Sequence, residues 1–501
     1  MFKVGERLSI NNELCTIKYI GEIKNWPGEE TYGLEWDNTS RGKHSGTIDG
    51  IEYFSVRIPG SASFMRGTKL LREHQPPRTF DQALRVKYGD DLNDIGELKF
   101  GSKTVIGYGF ESLTEKNKLF SKLQFVSLRK LQISDQTLTE KDLQIIEYHC
   151  SSIISLDISF NLITDISFTI KLLHRLKNLD SINISGNKLN KGWENISNIT
   201  LNKVKHVTMQ NCEIKSENLT NIFRSFPNLI KLDISNNPLN EFKLNNVIFP
   251  QSLEELHLSG CLLTDIPLSL CKTNIKILNI SNNLIKSFND TLLPSVFHLN
   301  ISDNGLIEWD LIDMINVKFN NLTSLNIQRN PIFKANPENF QDFYQLIARF
   351  DNLTALDGSD FDLLTRKEAE LFFISKVSSG EILINENLQR YKTLVKLYNC
   401  SKREKSDSIS WLSDQIMELR LTFENSSHFD TRVTTLANCS IRYLKSVICS
   451  KHKLNVLETE LYLISDLGSM ENLHREFVQL SDYGIRNNDI IHVGTRELDF
   501  S

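Results

Sequence analysis

Paired cysteines and long apolar runs are both missing from this 501-residue chain. Its eight cysteines are scattered, and no two of them form a Cys-x-x-Cys pair. This spacing argues against a zinc ribbon, a redox dithiol or a disulfide framework, so we expect reduced structural thiols. No stretch reaches the roughly 18 apolar residues that a membrane-spanning helix needs, and Met1–Arg7 has no apolar leader-like run. We therefore expect a cytoplasmic protein with no membrane partner.

Signatures of catalysis are missing as well. The chain has no Gly-x-x-x-x-Gly-Lys-Ser/Thr phosphate loop, no Gly-x-Ser-x-Gly nucleophile elbow and no His-Glu-x-x-His metal helix. His149 and Cys150 are adjacent rather than set apart by a fold. We predict a binding protein and not an enzyme, with no catalytic residue, no metal, no cofactor and no nucleic-acid partner.

What the chain does contain is a glycine-flanked lysine near its beginning. The stretch Gly42-Lys43-His44-Ser45-Gly46 lies between Gly33-Leu34-Glu35-Trp36-Asp37 and Tyr53-Phe54. We expect the two outer glycines to adopt positive φ and to let the backbone approach a ligand closely. The lysine would then meet a carboxylate, and the aromatic side chains would wall a shallow apolar pocket. Residues 41–72 hold six lysines and arginines against two acids, which favours an acidic partner.

These motifs, together with Gly60–Arg66, resemble a CAP-Gly domain in the form found in the tubulin-specific chaperone E family. The resemblance implies a site that reads the acidic, aromatic-terminated tail of α-tubulin. The expected tail-binding residues are Trp36, Gly42, Lys43, His44, Ser45, Gly46, Phe54, Phe64 and Arg66. The chain departs from the family at two positions, since Thr31 stands where members usually carry Trp and Ser45 where they usually carry Asp. We expect the missing Trp to thin the aromatic wall and to weaken tail binding.

The middle of the chain repeats itself with a period of about 25 residues. The unit is apolar-x-x-apolar-x-apolar-x-x-Asn/Cys-x-apolar, which is typical of leucine-rich repeats. We place nine repeats, which begin at Leu128, Ile153, Leu179, Val204, Leu229, Leu253, Ile275, Val296 and Leu322. The inward Asn or Cys should pair backbone groups at the end of each strand, and the first repeat would use Gln136 there. Stacked strands then form a parallel concave sheet.

The concave face is predicted to be polar and suited to protein binding. One column would run through Asp157, Asn183, Asp233, His257, Asn279, Asn300 and Asn326, and its neighbour through Lys130, His206, Lys231, Glu255 and His298. The three histidines are two repeats apart with no carboxylate or Cys at ligand spacing, so we do not assign them a metal. Thr365 and Glu368 predict a capping box for a helix that covers the last repeat.

The last part of the chain predicts an α+β module. Met417–Phe423 alternates with period two, Ile441–Ile448 has helical spacing, and Leu461–Ile464 reads as a further strand. Leu480-Ser481-Asp482-Tyr483-Gly484-Ile485 resembles the final helix-turn of ubiquitin. Because Leu498–Ser501 lacks a Gly-Gly pair, we expect a docking module that is not conjugated.

We therefore predict a multidomain chain with a small β CAP-Gly domain, an α/β leucine-rich-repeat solenoid and an α+β ubiquitin-like domain. The expected bounds are 1–75, 121–375 and 413–501, with linkers at 76–120 and 376–412. The resemblance implies a cytoskeleton-associated cofactor that binds α-tubulin and the α/β-tubulin heterodimer and acts with tubulin cofactors C and D in its assembly and dissociation. Two alternatives stay open: a microtubule-end scaffold, and an adaptor that binds proteasome or ubiquitin-pathway proteins.

Overall fold

The computed structural model describes residues 2–88, 98–100, 103–105, 120–135, 140–196, 199–239, 241–333, 340–385, 388–398, 416–423, 431–464 and 469–495. Internal contacts divide the chain into two units, Met1–Thr365 and Arg366–Ser501, and each is described by itself. Parts of both predicted linkers and the C-terminal Leu498–Ser501 lie outside the described residues.

The first module is a five-stranded sheet in the order β6-β3-β2-β1-β7. Its elements are β1 Arg7–Ile10, β2 Glu13–Ile23, β3 Trp26–Trp36, β4 Thr47–Ile48, β5 Ile51–Glu52, β6 Ala62–Arg66, α1 Gly67–Glu73 and β7 His74–Gln75. Ile10, Ile17, Leu34 and Leu70 are fully buried in its core. All neighbouring strands pair in the antiparallel direction, which fits a small β domain joined by short turns.

The beginning of the predicted linker is part of the repeat array. Arg78 exchanges backbone hydrogen bonds with the first repeat, donating to the Gln132 carbonyl at 2.9 Å and accepting from the Ser134 N–H at 3.2 Å. Helix α2, Phe80–Tyr88, follows at once and buries Phe80 and Leu84. The described remainder of this region consists of β8 Leu98–Phe100 and β9 Lys103–Val105, which pair with each other.

The repeats form one sheet whose strands follow each other in chain order. Its strands are β10 Phe125–Ser127, β11 Ser155–Asp157, β12 Ser181–Asn183, β13 His206–Thr208, β14 Lys231–Asp233, β15 Glu255–His257, β16 Ile277–Asn279, β17 His298–Asn300, β18 Ser324–Asn326, β19 Ala355–Leu356 and β20 Ser359–Asp360. The helices of this region are α3 Glu140–His149, α4 Ile166–Arg175, α5 Leu219–Ser225, α6 Glu241–Leu244, α7 Trp309–Lys318, α8 Phe340–Arg349 and α9 Leu363–Ser378. Strands β10 to β19 are parallel, and β20 turns back antiparallel to β19.

Eight of the nine predicted repeat frames are confirmed, and the first is wrong by five residues. Val126 pairs with Leu156, so the first repeat begins at Leu123 instead of Leu128. Leu131 therefore stands where later repeats carry Asn or Cys, while the predicted Gln136 lies outside the described residues. The physical reason is that an inward Asn serves the repeat before it, and no described strand of this sheet precedes β10.

The inward asparagines form a directional ladder. Asn237 shows the pattern: its Oδ1 accepts the N–H groups of Cys212 and Ile214 at 2.9 and 3.0 Å. Its Nδ2 donates to the carbonyls of Met209 and Ile234 at 2.9 and 2.7 Å. Each asparagine thus pairs backbone groups in the turn of the preceding repeat that would otherwise be buried without a partner.

At the end of the array a carboxylate replaces a backbone carbonyl of the next strand, such as the Asn326 carbonyl that accepts the Ile301 N–H in the repeat before. Asp357 Oδ1 accepts the Ile327 and Gln328 N–H groups at 2.8 and 3.2 Å. The last full repeat is therefore closed by the segment between β19 and β20, which lies beyond the predicted repeats.

The polar concave column has a structural role that the sequence did not reveal. Asp157, Asn183, Asp233, Asn279 and Asn300 each accept the backbone N–H two residues further on, at 2.9–3.1 Å. These side chains hold the turn after each strand, as Asp and Asn do in Asx-turns. In the neighbouring column the prediction of Lys130 is wrong, because Phe125 pairs with Ser155 there. Phe125 is 71% exposed and gives the face an aromatic side chain at one end.

Asp362, and not Thr365, caps the N-terminus of the helix that follows the repeats. Helix α9 starts at Leu363, and Asp362 Oδ1 accepts the Thr365 N–H at 2.8 Å. The predicted capping box of Thr365 and Glu368 is wrong, because Thr365 already lies in the first turn and is a donor that the cap must satisfy. The division between the two units falls within this helix.

The second unit contains a β-grasp module. Its elements are α10 Gln389–Leu397, β21 Ile416–Phe423, β22 Thr431–Leu436, α11 Ile441–His452, β23 Thr459–Ile464, β24 Met470–Asn472 and β25 Ile490–Thr495. The sheet order is β22-β21-β25-β23-β24, with the central pair parallel and the others antiparallel. This strand order confirms the ubiquitin-like prediction, and α11 covers the core around Leu419, Leu444 and Ile491.

Candidate functional site

The glycines of the 42–46 loop are required for close packing of the chain against itself. Gly46 has φ +96°, and a Cβ there would lie 1.8 Å from the Phe54 carbonyl oxygen. Gly42 has φ −71°, so the predicted positive φ is wrong at this position. A Cβ at Gly42 would nevertheless lie 1.9 Å from the Gly60 carbonyl oxygen. Any side chain at either position would therefore displace the loop.

Hydrogen bonds fix the loop on β6 and on the segment before it. Lys43 and His44 both donate their N–H groups to the Ala62 carbonyl, at 2.7 and 3.2 Å, and Ala62 donates back to the His44 carbonyl at 2.8 Å. Ser45 Oγ accepts the Gly60 N–H at 3.0 Å. Serine thus supplies an acceptor at the position where the family usually has a carboxylate.

Phe64 is the centre of an aromatic cluster beside this loop. Its ring lies 5.1 Å from His44, 5.4 Å from Tyr53, 5.4 Å from Phe54 and 6.2 Å from Tyr19, measured between centroids. The rings of Tyr53 and Phe54 meet Phe64 edge to face, a favourable arrangement for aromatic pairs. Phe54 is buried, whereas Phe64 and the two tyrosines are half-buried and can present ring surface to a ligand. The two tyrosines are members that the site prediction omitted.

Trp36 does not line this surface. It is 3% exposed, and its indole N–H donates to Ser63 Oγ at 2.7 Å inside the module. On its outer side the Arg41 guanidinium lies 4.8 Å from the ring centroid. Trp36 therefore supports the sheet, and its contact with a ligand stays a prediction.

Thr31 stands where family members usually carry a Trp, and Arg66 lies opposite it in the sheet. Thr31 is fully buried and pairs with Arg66 across β3 and β6. The Arg66 guanidinium lies 4.9 Å from the Trp26 ring centroid and 2.8 Å from Glu29. A tryptophan at the beginning of β3 therefore stacks on the arginine, although no tryptophan stands at position 31.

Lys43 differs from the other cations of residues 41–72. Arg57 pairs with Glu213, Arg66 with Glu29, and Lys69 and Arg72 both with Glu73, while Arg41 stacks on Trp36. Lys43 is exposed, and within the described part of the chain its ammonium group has no acidic partner. The charge available to an acidic ligand at this site is therefore concentrated on Lys43.

His44 is held in its neutral form by its surroundings. Partial burial, and then the charge of neighbouring Lys43, lower its pKa below the ordinary value. Its Nδ1 accepts the Gly46 N–H at 3.0 Å, a bond that protonation of that nitrogen would remove. The loop conformation thus depends on an unprotonated His44.

The first module packs against the post-strand turns of the repeats through an ionic seam. Arg7 forms two hydrogen bonds with Asp37, at 2.6 and 2.7 Å, and lies 3.5 Å from the Gly186 carbonyl. Arg57 and Lys188 both pair with Glu213, at 3.4 and 3.2 Å. Burial lowers the pKa of Lys188, against the opposing charges of Asp37 and Glu213.

A cavity of about 250 Å³ remains between the two surfaces of this seam. No local pattern indicates the contacts between the two modules, because Arg7 and Gly186, like Arg57 and Glu213, are more than 140 residues apart. The seam also lies next to the loop, since Arg57 and Gly60 belong to one short segment whose ends bond Glu35 and Ser45.

Neither a membrane span nor a metal centre is found in the described ranges. No helix there combines the length and the apolar character that crossing a bilayer requires. Nor do three or more His, Cys, Asp or Glu side chains of the described chain come together as a metal site would require.

The fold and the site define a multidomain CAP-Gly protein with leucine-rich repeats and a ubiquitin-like domain. The family model of the CAP-Gly domain matches residues 4–70, and that of the Leucine Rich Repeat matches residues 252–273. Protein PAC2 of Saccharomyces cerevisiae is 36% identical over 502 residues, which cover 99% of this chain and 97% of that protein. Tubulin-specific chaperone E of Xenopus laevis is 30% identical over 382 residues, or 73% of this chain and 70% of that protein. This chain belongs to the tubulin-specific chaperone E family.

Among solved structures, the C-terminal ubiquitin-like domain of mouse tubulin-specific chaperone e matches with a TM-score of 0.17 and 18% identity. The match covers 20% of this chain and 100% of that domain.

Proposed function

We propose that this chain is a tubulin-folding cofactor whose first module binds the acidic C-terminal tail of α-tubulin. The observation that carries the proposal is the unpaired Lys43 beside the half-buried ring of Phe64. A carboxylate of the tail would pair with the ammonium group, and its terminal aromatic ring would pack in the cluster around Phe64. Trp36 and Ser45 would act by holding the sheet and the loop in place.

The direct test is binding of an α-tubulin tail peptide to Lys43→Ala, measured by calorimetry at low salt. Because a charge-assisted hydrogen bond contributes about 1.5 to 3 kcal/mol, we expect affinity to fall roughly tenfold to a hundredfold. Lys3→Ala is the matched control, because Lys3 is an exposed lysine of the same module outside the loop. Equal affinity of the Lys43 variant and the wild type would exclude this tail site. Phe64→Ala should weaken the native peptide more than a peptide that lacks the terminal aromatic residue.

In this proposal the repeats grip the body of α-tubulin while the first module holds its tail. The ionic seam supports this division, because it keeps both binding surfaces in one orientation and lowers the entropy lost on binding the second one. The protein would act with tubulin cofactors C and D in assembly and dissociation of the α/β-tubulin heterodimer. Its own chemistry would be binding rather than catalysis, and the ubiquitin-like domain would serve the dissociation step.

The seam can be tested with a charge exchange in the full chain. Arg57→Glu should weaken binding of the tubulin heterodimer while leaving affinity for the tail peptide unchanged. Adding Glu213→Arg should restore heterodimer binding in part, because the exchanged pair can form again while Lys188 loses its acidic partner. If Arg57→Glu bound the heterodimer as tightly as the wild type, the two surfaces would act independently. Pull-down of soluble tubulin, set against microtubule co-sedimentation, separates this function from the scaffold alternative.

A further inference from the structure

The ubiquitin-like module has an apolar groove along β22, one of the two edge strands of its sheet. The groove lies between β22 and α11, measures about 520 Å³, and is lined by Ile416, Thr434, Leu436, Cys439, Tyr443 and Val447. Two of these side chains are largely exposed, Ile416 at 48% and Tyr443 at 59%. We refer to this feature as the β22 groove.

The backbone beside the groove is open to pairing. Strand β22 is at the edge of its sheet, and β21 is its one partner among the described strands. An edge strand presents N–H and C=O groups that an added strand can use. An apolar groove along such an edge provides side-chain pockets next to these groups.

The open face of the same sheet is occupied by its own polar contacts. The Tyr462 hydroxyl donates to Glu460 at 2.7 Å, Thr422 Oγ1 lies 3.1 Å from His492 Nδ1, and Arg432 pairs with Glu418 at 2.9 Å. Covering this face would remove water from these polar and charged groups, which costs free energy. The edge groove is therefore the more favourable docking surface on this sheet.

The surroundings of the groove are basic. Residues 441–453 include Arg442, Lys445, Lys451 and Lys453 and contain no acidic side chain. Lys445 is paired with Glu476 at 3.0 Å, but no described carboxylate pairs with Lys451 or Lys453. Lys451 donates to the Arg432 carbonyl at 3.0 Å, which places its charge at the beginning of β22. The apolar lining lies toward the other end of the strand.

We propose that the β22 groove binds an extended peptide segment of a partner protein as an added strand. The segment would carry a few alternating aliphatic side chains that fill the groove, flanked by Asp or Glu residues that face Lys451 and Lys453. Main-chain hydrogen bonds to β22 would give affinity, and the charge would select the acidic flank. This assigns a ligand chemistry to the ubiquitin-like module and is independent of the tail site in the first module.

The experiment uses the full chain and a fluorescein-labelled peptide of four alternating valines and isoleucines between pairs of aspartates, followed by anisotropy at low salt. We expect saturable binding that Tyr443→Ala weakens about tenfold or more, as loss of an aromatic anchor does. Leu457→Ala is the matched control, since Leu457 is 80% exposed on the same module outside the groove. It should bind like the wild type.

Two further peptides test the mode of binding. A central proline removes a main-chain donor and should abolish binding, and lysine flanks should weaken it about tenfold or more. Bound peptide should also protect the Cys439 thiol, which lines the groove, from alkylation as read by mass spectrometry. The proposal is overturned if the aspartate-flanked peptide does not bind, if the proline peptide binds equally well, or if Tyr443→Ala and Leu457→Ala behave alike.

Discussion

Replacing Asn237 by leucine removes one complete step of the asparagine ladder. The side chain is 1% exposed, and its Oδ1 is the acceptor for the Cys212 and Ile214 N–H groups. Leaving a buried amide unpaired costs about 1 to 3 kcal/mol, so two of them cost roughly 2 to 6 kcal/mol. Burial of the leucine offsets about 1.5 to 3 kcal/mol of this. We expect a net destabilisation of the array of about 2 kcal/mol.

Two controls separate the ladder from the concave face. Asp233→Ala removes the acceptor of the Ser235 N–H and a contact with Gln210, so it should cost about 1 kcal/mol. His298→Ala changes an exposed side chain of the concave face and should stay within about 0.5 kcal/mol of the wild type.

The assay has to report on the array itself, because a chain of several domains does not unfold in one step. Native-state hydrogen exchange, read by mass spectrometry on peptides that cover residues 206–239, gives the local opening free energy. We expect protection there to fall roughly thirtyfold in Asn237→Leu, since 1.4 kcal/mol corresponds to about tenfold. Unchanged protection in this variant, or an equal loss in His298→Ala, would refute the assignment of strand and ladder.

Three more predictions concern the first module. In the full chain, Gly42→Ala should abolish tail-peptide binding and destabilise the module, because its methyl group would overlap the Gly60 carbonyl; circular dichroism and calorimetry would show both effects. The pKa of His44 is lower in the folded protein than in the unfolded chain, where it is about 6.5. Below this pH the unfolded state therefore binds a proton more readily than the folded state, and the protein loses stability on acidification. His44→Asn, which keeps an acceptor for the Gly46 N–H, should remove this pH dependence from the exchange rate of the Gly46 amide. Asp37→Ala leaves the buried Arg7 charge without its partner and should lower the free energy of unfolding in urea by about 3 to 5 kcal/mol.

Acid should also weaken the Arg7–Asp37 pair. Burial acts against the Asp37 carboxylate, but the charge and hydrogen bonds of Arg7 outweigh it and hold the pKa of Asp37 below the usual range. The pair therefore contributes stability above pH of about 4 that is lost as the pH falls toward the lowered pKa. A thermal melt of the wild type between pH 7 and pH 3 should show a loss that Asp37→Asn does not share.

The sequence was sufficient wherever a local period carried the information. Eight repeat frames could be read because Leu and Asn recur at fixed spacing, and the ubiquitin-like strands because apolar residues alternate. The first repeat was read in the wrong frame because Leu131 takes the place of Asn at a point where no described strand of the sheet precedes it. Because Leu131 is apolar, the repeat pattern fits the sequence equally well when the pattern is shifted by five positions.

The candidate site could be predicted in part. Its glycines, Lys43 and Phe64 lie in one short segment with recognisable spacing, whereas the burial of Trp36 depends on how the sheet packs. Pairs such as Arg57 and Glu213 join residues that are distant in the chain, so no local pattern encodes them. The polar concave column was read as a binding surface because a sequence does not distinguish an Asp that caps a turn from one that faces a partner.

The direction of the ladder has a consequence for how the chain is made. Each asparagine serves the repeat before it, so a repeat emerging from the ribosome keeps unpaired amides until the next one has been synthesised. The array is therefore completed from its C-terminal side, where Asp357 closes the last strand pair. An mRNA truncated before the codon for Asp357 would yield a chain in which every earlier repeat is intact. Its final turn would nevertheless stay exposed to water, to pairing with other chains and to proteolysis.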